Sequence, residues 1–467
     1  MREILPEFLR LLAQNLPAPL YLVGGMVRNF LAGLPTKTDL DVAAALPVEE
    51  IVSATTRLGG KVHAVYPKTG TVQLSFDGGE IEYTRFRTER YPKGGVHTPC
   101  EVLPTQSIEE DAKRRDFTIN AIYYDIAGDR FCDPLGGMED IKTKSLRAYD
   151  GKKVFESDGL RLMRLARFAA QLNFSVHPDT LSAAREYKTN LRDIAGERLN
   201  SELSLLLLSD TAYPVSGKDA PLRGLKVLRE TGVLFELFPA LKNADGMPQR
   251  KDYHDHDVLT HSLRAVFYAP PILEVRLAAL LHDIGKPTAF YKSGKPTSET
   301  PAAFAGHERY GEPLVLDCLK RIKASNHLTH EVSALCRQHG YVAHENTRQV
   351  KLRRFLSENA WLIPNLFYLM QADHSAQKGE ETPSACLSRL MAEYARMCEE
   401  NVPFSIKDLA VSGNDLTALG LKGKEIGEML NAFLQHCMMH PQDNQKNLLI
   451  SRAKRIYKRK QKQKEEV

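Results

Sequence analysis

The chain lacks any run approaching the ~20 consecutive apolar residues that a membrane-spanning helix needs. Its first residues, Met1-Arg2-Glu3-Ile4-Leu5-Pro6-Glu7, carry acids at the start of an amphipathic helix rather than the basic-then-apolar pattern of a secretory signal. These two absences point to a cytoplasmic protein with no membrane partner. It also lacks a Cys-x-x-Cys pair. The 7 cysteines, an odd number, stand scattered at 100, 132, 318, 336, 386, 398 and 437. That spacing excludes a zinc ribbon and argues for reduced thiols that fill cores. Nor is there a strong excess of one charge: 63 Lys and Arg face 58 Asp and Glu, a formal net +5. Such a balance permits a polyanionic partner without demanding one, since the potential depends on where the charges cluster. With 467 residues, 43% hydrophobic and 26% charged, the chain has ample material for buried cores in three or so domains.

What is present is concentrated first between Tyr21 and Val42. A short apolar run enters Gly24-Gly25, a helix carrying Arg28 follows, and a loop then delivers Asp39-Leu40-Asp41 to a second apolar segment. Residues two apart on a strand share a face, so Asp39 and Asp41 would project together while Leu40 and Val42 pack inward. Two adjacent carboxylates repel unless a cation lies between them, and Mg²⁺ suits one or two carboxylates plus phosphate oxygens. The glycines allow backbone N–H groups to approach a triphosphate closely, and Arg28 can take a phosphate bidentately. From Thr71 to Phe86 the residues alternate around Asp77-Gly78-Gly79, the pattern of a hairpin whose neighbour is the strand with the two aspartates. Glu82 on that hairpin is a candidate third carboxylate.

The spacing Gly-Gly-x-Val-Arg, then Asp-Leu-Asp, resembles the opening motif of the nucleotidyltransferases that extend RNA 3′ ends, in their bacterial class II branch of CCA-adding enzymes and poly(A) polymerases. Two further motifs follow in the family's order. Arg114-Arg115-Asp116-Phe117-Thr118, with Asn120-Ala121, is similar to its RRDFT-x-NA element, and Asp133-Pro134-Leu135-Gly136-Gly137 to its DP-x-GG turn. The resemblance implies that Arg114 and Arg115 supply positive charge to a triphosphate while Asp116 fixes a guanidinium or meets the ribose. Asp158-Gly-Leu-Arg161-Leu-Met-Arg164-Leu-Ala-Arg167-Phe168 resembles the family's nucleotide-selection helix. On a helix that spacing makes Asp158 and Arg161 neighbours and puts Arg167 nearly opposite Asp158. An Asp–Arg pair held rigidly offers an acceptor and donors to the Watson–Crick edge of a base, so a protein can choose a nucleotide without a template. Two departures stand where CTP and ATP would be distinguished: Ser157 occupies the position of a family glutamate, and Leu146–Phe155 is one residue short and lacks the family's arginine.

Farther on, His261, the pair His282-Asp283 in Leu281-His282-Asp283-Ile284-Gly285-Lys286, then His307 and Asp373 follow at intervals that resemble the HD metal-dependent phosphohydrolases. The resemblance implies His261, His282, Asp283 and Asp373 as ligands of a second divalent ion, for which imidazole and carboxylate suit Mn²⁺, Ni²⁺, Fe²⁺ or Mg²⁺. The segment from Asp408 through Gly420-Leu-Lys422-Gly423-Lys424 is similar to the family's tRNA-contacting tail, and Lys454 to Lys464 is a basic run suited to sequence-blind contact with RNA.

The expected architecture is an α/β nucleotidyltransferase head with a small mixed sheet (1–150), then an all-α neck (151–215), an HD-containing body (216–380) and a tail (381–467). The expected activity is template-independent CCA addition to tRNA from CTP and ATP, with Mg²⁺ at Asp39 and Asp41. Gly24, Gly25, Arg28, Arg114, Arg115, Asp116, Asn120, Asp158, Arg161, Arg164 and Arg167 are the expected nucleotide contacts. A poly(A) polymerase, a CC- or A-adding enzyme and an HD phosphohydrolase are the alternatives.

Overall fold

The computed structural model describes residues 1–36, 40–77, 79–92, 99–249, 256–293 and 304–465. Asp39 therefore lies outside the described residues. Nine strands lie among the described residues up to 132: β1 (Tyr21–Val23), β2 (Leu40–Ala44), β3 (Lys61–Tyr66), β4 (Thr71–Phe76), β5 (Gly79–Arg85), β6 (Arg87–Arg90), β7 (Glu101–Pro104), β8 (Tyr123–Asp125) and β9 (Arg130–Cys132). Seven of them make one mixed sheet in the order β3-β4-β5-β2-β1-β8-β9, while β6 and β7 pair separately. Within this sheet, among the described residues, only β2 and β5 run parallel, with Asp41 in register with Glu82. The connection between them contains the helix Val48–Arg57 and the hairpin strands, as a parallel pair requires a crossover.

Alternation along the central strands separates two faces. Leu22, Leu40, Val42, Val72, Leu74, Ile81 and Tyr83 enter the main core, whereas Val23, Ala43, Phe86 and Tyr123 form a smaller cluster on the other side. Asp41 shares the face of Ala43, two residues on, and so is carried on the side of the smaller cluster.

From residue 151 onward the regular elements among the described residues are helices, apart from the short strand Ser175–Val176. The helix Leu160–Leu172 buries nearly all of its apolar residues and ends at Asn173, whose φ of +56 suits an Asn cap. It packs on the helices Gly196–Leu207 and Ala220–Thr231. Gly224 permits that approach, since a Cβ there would lie 3.1 Å from the Ala166 carbonyl oxygen and from Ala170 Cβ. The main core runs without a break from the sheet into the helices as far as Met438, while Leu409, Leu416, Phe433, Leu449 and their neighbours make a separate core in the tail. Among the described residues no helix is long and apolar enough to cross a membrane.

Buried arginines clamp these layers. Arg353 of the body, 3% exposed, donates to Glu393, Glu400 and the Met438 carbonyl, all in the tail. Arg276, 1% exposed, donates to both oxygens of Asp210 at 2.6 Å and to the carbonyls of Leu207 and Ala269. Removing one partner of such a pair strands the other in a dry site. Arg276→Met is expected to lower unfolding free energy by ~3–5 kcal/mol, read as a lower urea midpoint. Arg276→Lys should recover little, because an ammonium cannot grip both carboxylate oxygens in a planar fork. An unchanged midpoint in Arg276→Met would show that the clamp is dispensable.

Candidate active site

The turn after β1 is built for close approach. Gly24 adopts φ +85, and a Cβ there would stand 3.3 Å from Asp41 Oδ2. Glycine is the residue that takes this conformation without strain and leaves the carboxylate room. The turn opens the helix Gly25–Leu31, which carries Arg28 inward to 5% exposure. Its guanidinium donates to Asn120 Oδ1 at 2.8 Å, to Asn29 Oδ1 at 2.8 Å and to the Tyr213 hydroxyl at 3.4 Å. These partners are neutral, and burial pushes the Arg28 pKa down from its ordinary value. An anionic ligand would relieve that strain on the charge.

Two buried aspartates organise the remaining cations. Asp111, on the helix Ile108–Lys113, is fully buried and accepts from Arg114 Nε at 2.8 Å, Arg115 Nη2 at 3.2 Å and the Tyr123 hydroxyl at 2.6 Å. Burial alone would raise its pKa, but Arg115 and then Arg114 overcome it and hold the carboxyl at about 2. Asp116 accepts from Asn120 Nδ2 at 2.9 Å, its neighbour's Phe117 N–H at 2.8 Å, and Arg164 Nε and Nη2 at 2.8 and 2.6 Å. Here too burial raises, and Arg164, Asn120 and Arg161 outweigh it, keeping the carboxyl well below the usual carboxylate range.

The selection segment differs from the expected single helix. The helix Gly151–Ser157 ends before Asp158, which is extended, and a new helix runs from Leu160. Asp158 Oδ1 accepts from the Leu160 N–H at 2.9 Å, so the aspartate precedes the second helix, whose N-cap is Gly159, instead of riding on it. Arg161 donates to the Arg114 carbonyl at 2.6 Å, to Ser157 Oγ at 2.8 Å and to the Val154 carbonyl at 3.3 Å. The serine that departs from the family pattern thus holds the arginine one turn later.

These groups line one cavity of about 450 Å³, walled by Gly24, Gly25, Arg28, Asp41, Arg114, Arg115, Asp116, Asn120, Asp158, Arg161 and Arg164. Arg167 is not on its wall. It donates to Glu202 Oε2 at 2.6 Å and Gln171 Oε1 at 2.9 Å, with its guanidinium 4.2 Å from the Phe168 ring centre. Arg28 and Arg164 lie over the same ring at 5.0 and 5.1 Å, which makes Phe168 the shared platform of three cations. Phe168 carried a weak signal as the residue closing the arginine repeat. Tyr213 and Asn29, which also line the cavity, carried none. Glu82 stands across from Asp41 on the same exposed face. Asp41 and Gly24 therefore offer a carboxylate oxygen beside an open backbone, a setting that fits a hard divalent cation.

A second cluster lies in the body. His261 comes from the helix Val258–Tyr268, His282 and Asp283 from the turn after Leu273–Leu281, and Asp373 from Asn365–Lys378. His261 Nε2 is 2.8 Å from Asp373 Oδ1 and 3.5 Å from Asp283 Oδ2, while His282 Nε2 is 3.2 Å from Asp283 Oδ2 and 3.6 Å from Asp373 Oδ1. The four expected ligands are brought together.

Three family descriptions match the chain in order: the Poly A polymerase head domain at 20–147, an RNA and SrmB-binding site of polymerase A at 173–245, and a tRNA nucleotidyltransferase domain 2 at 310–453. The A-adding tRNA nucleotidyltransferase of Deinococcus radiodurans is 30% identical over 428 residues, 89% of this chain and 90% of that protein. The multifunctional CCA protein of Hahella chejuensis is 31% identical over 425 residues, 87% and 92% of the two chains. The crystal structure of the Bacillus stearothermophilus CCA-adding enzyme with CTP covers 98% of this chain and all of its own at a TM-score of 0.68 and 24% identity, a likeness of fold. Identity at this level along nearly the full length of both relatives reflects common descent, and the chain belongs to the tRNA nucleotidyltransferase and poly(A) polymerase family.

Proposed function

We propose that this enzyme adds nucleotides from CTP and ATP to the 3′ end of tRNA without a template, completing CCA. The observation that carries this reading is the single cavity in which Arg28, Arg114, Arg115, Arg161 and Arg164 face Asp41 across the Gly24 turn. Five cations exceed what one substrate carboxylate would need and match a triphosphate. The RNA 3′-hydroxyl attacks the α-phosphate and pyrophosphate leaves. Mg²⁺ held by Asp41, with Asp39 as the second expected ligand, would acidify the hydroxyl and neutralise the departing phosphates. Arg28, Arg114 and Arg115 bind the phosphate chain, each oriented before substrate arrives by Asn120, Asp111 or Glu89. Glu82, in register with Asp41, is proposed as an auxiliary carboxylate.

Asp158 and Arg161 choose the base. Cytosine and adenine both present an amino donor beside a ring-nitrogen acceptor on the Watson–Crick edge, which pairs with a carboxylate and a guanidinium; uracil and guanine present the reverse order. Arg161 is held by three acceptors, so the reading geometry exists before binding. The tail, with Gly420 and Gly423 at positive φ and the basic helix Lys446–Glu465, is proposed to grip tRNA phosphates.

A second reading is carried by the convergence of His261, His282, Asp283 and Asp373: these four hold one divalent transition ion in the body. Imidazole with carboxylate suits such an ion better than Mg²⁺ alone.

Asp41→Ala is expected to reduce incorporation at least ~10³-fold, several kcal/mol of transition-state charge stabilisation, with tRNA affinity retained in a filter-binding assay. Normal incorporation by that variant would remove the head as the catalytic site. Asp158→Ala should erode discrimination against UTP and GTP by about 10- to 100-fold, the worth of one good bidentate base contact. Product identity is read by incubating tRNA ending before CCA with CTP, with ATP and with both, then sequencing the 3′ ends. The expected products are CC, none and CCA. Extension only of tRNA already ending in CC would make this an A-adding enzyme, and A tails on unrelated RNAs a polymerase.

A further inference from the structure

Part of the nucleotide cavity's wall comes from neither the head nor the selection helix. Tyr213, which lines it, follows the short helix Ser209–Thr211 at the end of the neck. Its backbone is fixed from the C-terminal side. Pro214 disfavours a helical conformation at the residue before it, and the Tyr213 carbonyl accepts from the Ser216 N–H at 3.0 Å. Ser216 is fully buried, and its hydroxyl donates at 2.6 Å to the Gln171 carbonyl near the end of the helix Leu160–Leu172. The ring of Tyr213 packs on the main core. The side chain is therefore a rigid arm from the neck whose polar end meets the head.

Counting hydrogens shows what that end has and what it wants. The Pro35 carbonyl can only accept, and it lies 2.9 Å from Asn29 Nδ2, which fixes the orientation of the amide. Asn29 Nδ2 thus donates to the Tyr213 oxygen as well, at 3.2 Å. Arg28 Nη2, which also can only donate, stands 3.4 Å from the same oxygen. Two donors approach one hydroxyl, and neither can take its proton. Among the described residues that proton has no acceptor.

The acceptor is a ligand oxygen, and charge selects which one. The base edge is read elsewhere, at Asp158 and Arg161. Ribose hydroxyls are neutral. Phosphate oxygens accept without donating and carry the negative charge that the neutral partners of Arg28 do not supply. Arg28 Nη2 also stands beside the glycine turn, since a Cβ on Gly25 would lie 3.7 Å from it. Its approach to Tyr213 is longer than the 2.8 Å contacts of Arg28 with Asn29 and Asn120. The N–H aimed at Tyr213 is thus the one that a stronger acceptor draws away.

We propose that Tyr213 is a substrate-binding residue, and that its hydroxyl donates to a phosphate oxygen of the incoming nucleoside triphosphate that also accepts from Arg28 Nη2. The proposal rests on the reading of the cavity as a triphosphate site and adds a contact that the neck makes to the phosphate chain. Because that contact ignores the base, it serves CTP and ATP alike.

The test is Tyr213→Phe in the full chain, which keeps the ring and removes the donor. Calorimetric titration with inorganic tripolyphosphate, CTP and ATP should show each bound about 10-fold more weakly, the worth of a hydrogen bond to a charged group. KM for both nucleotides should rise by the same factor with kcat unchanged, and discrimination against UTP and GTP should not move. Phenylalanine also takes an acceptor away from Arg28, so the substitution is repeated in an Arg28→Met chain. A direct contact still costs about 10-fold there, whereas a hydroxyl that acts only by holding Arg28 costs nothing. Retained tRNA affinity in each variant shows that the chains fold. No further loss in the Arg28→Met chain would overturn the contact. Unchanged tripolyphosphate affinity with weaker CTP and ATP would move it to the ribose and overturn the phosphate assignment. Wild-type protein that binds no tripolyphosphate would overturn the triphosphate reading of the cavity itself; wild-type binding equalled by Tyr213→Phe would overturn this proposal alone.

Discussion

The carboxylate of Asp116 is the contact on which the nucleotide cavity depends. It sits on the head, 7% exposed, and receives Arg164, 33% exposed, from the helix Leu160–Leu172, so that a partly buried ion pair ties the head to that helix. Asn120 passes the constraint onward, donating to Asp116 and accepting from Arg28. A chain of three hydrogen-bonded side chains therefore connects the Gly24 turn to the selection helix. Taking one member away would leave charges buried without partners, and for that reason the network sets geometry more than it adds net stability.

Arginines crowded into one dry space repel, and the protein balances them unequally. Asp111 neutralises Arg114 and Arg115 from behind, Asp116 and Glu202 hold Arg164, and Glu202 also holds Arg167. Phe168 spreads part of the remaining charge over its ring. Arg28 is left with neutral partners. Such a site is preorganised for an anion: the cost of assembling its charges is met in folding, and the ligand collects the benefit on binding.

The body repeats this logic with the opposite polarity. Asp283, buried, and Asp373, 23% exposed, are surrounded by ring nitrogens and one ammonium, a donor set that suits cations. Head and body share one continuous core, and the two clusters of charged side chains stand on different elements.

Chain-local features were legible in the order of residues. Alternation from Thr71 to Phe86 encodes the β4–β5 hairpin, because a strand of period two buries every second side chain. The Gly24-Gly25 turn, the two arginines before Asp116 and the four metal-type ligands in the body are local patterns whose chemistry is visible without coordinates. What lay beyond sequence depends on contacts between distant segments. Arg167 turns to Glu202 because the helix Gly196–Leu207 packs on that face. Tyr213 reaches Arg28 across 185 positions, and His307 and His339 reach Asp283 from separate helices. Periodicity and motif spacing thus determined the elements and the reactive residue types. Tertiary packing alone decided which of those residues share a site, since burial makes each charge find its partner in space, however far away along the chain.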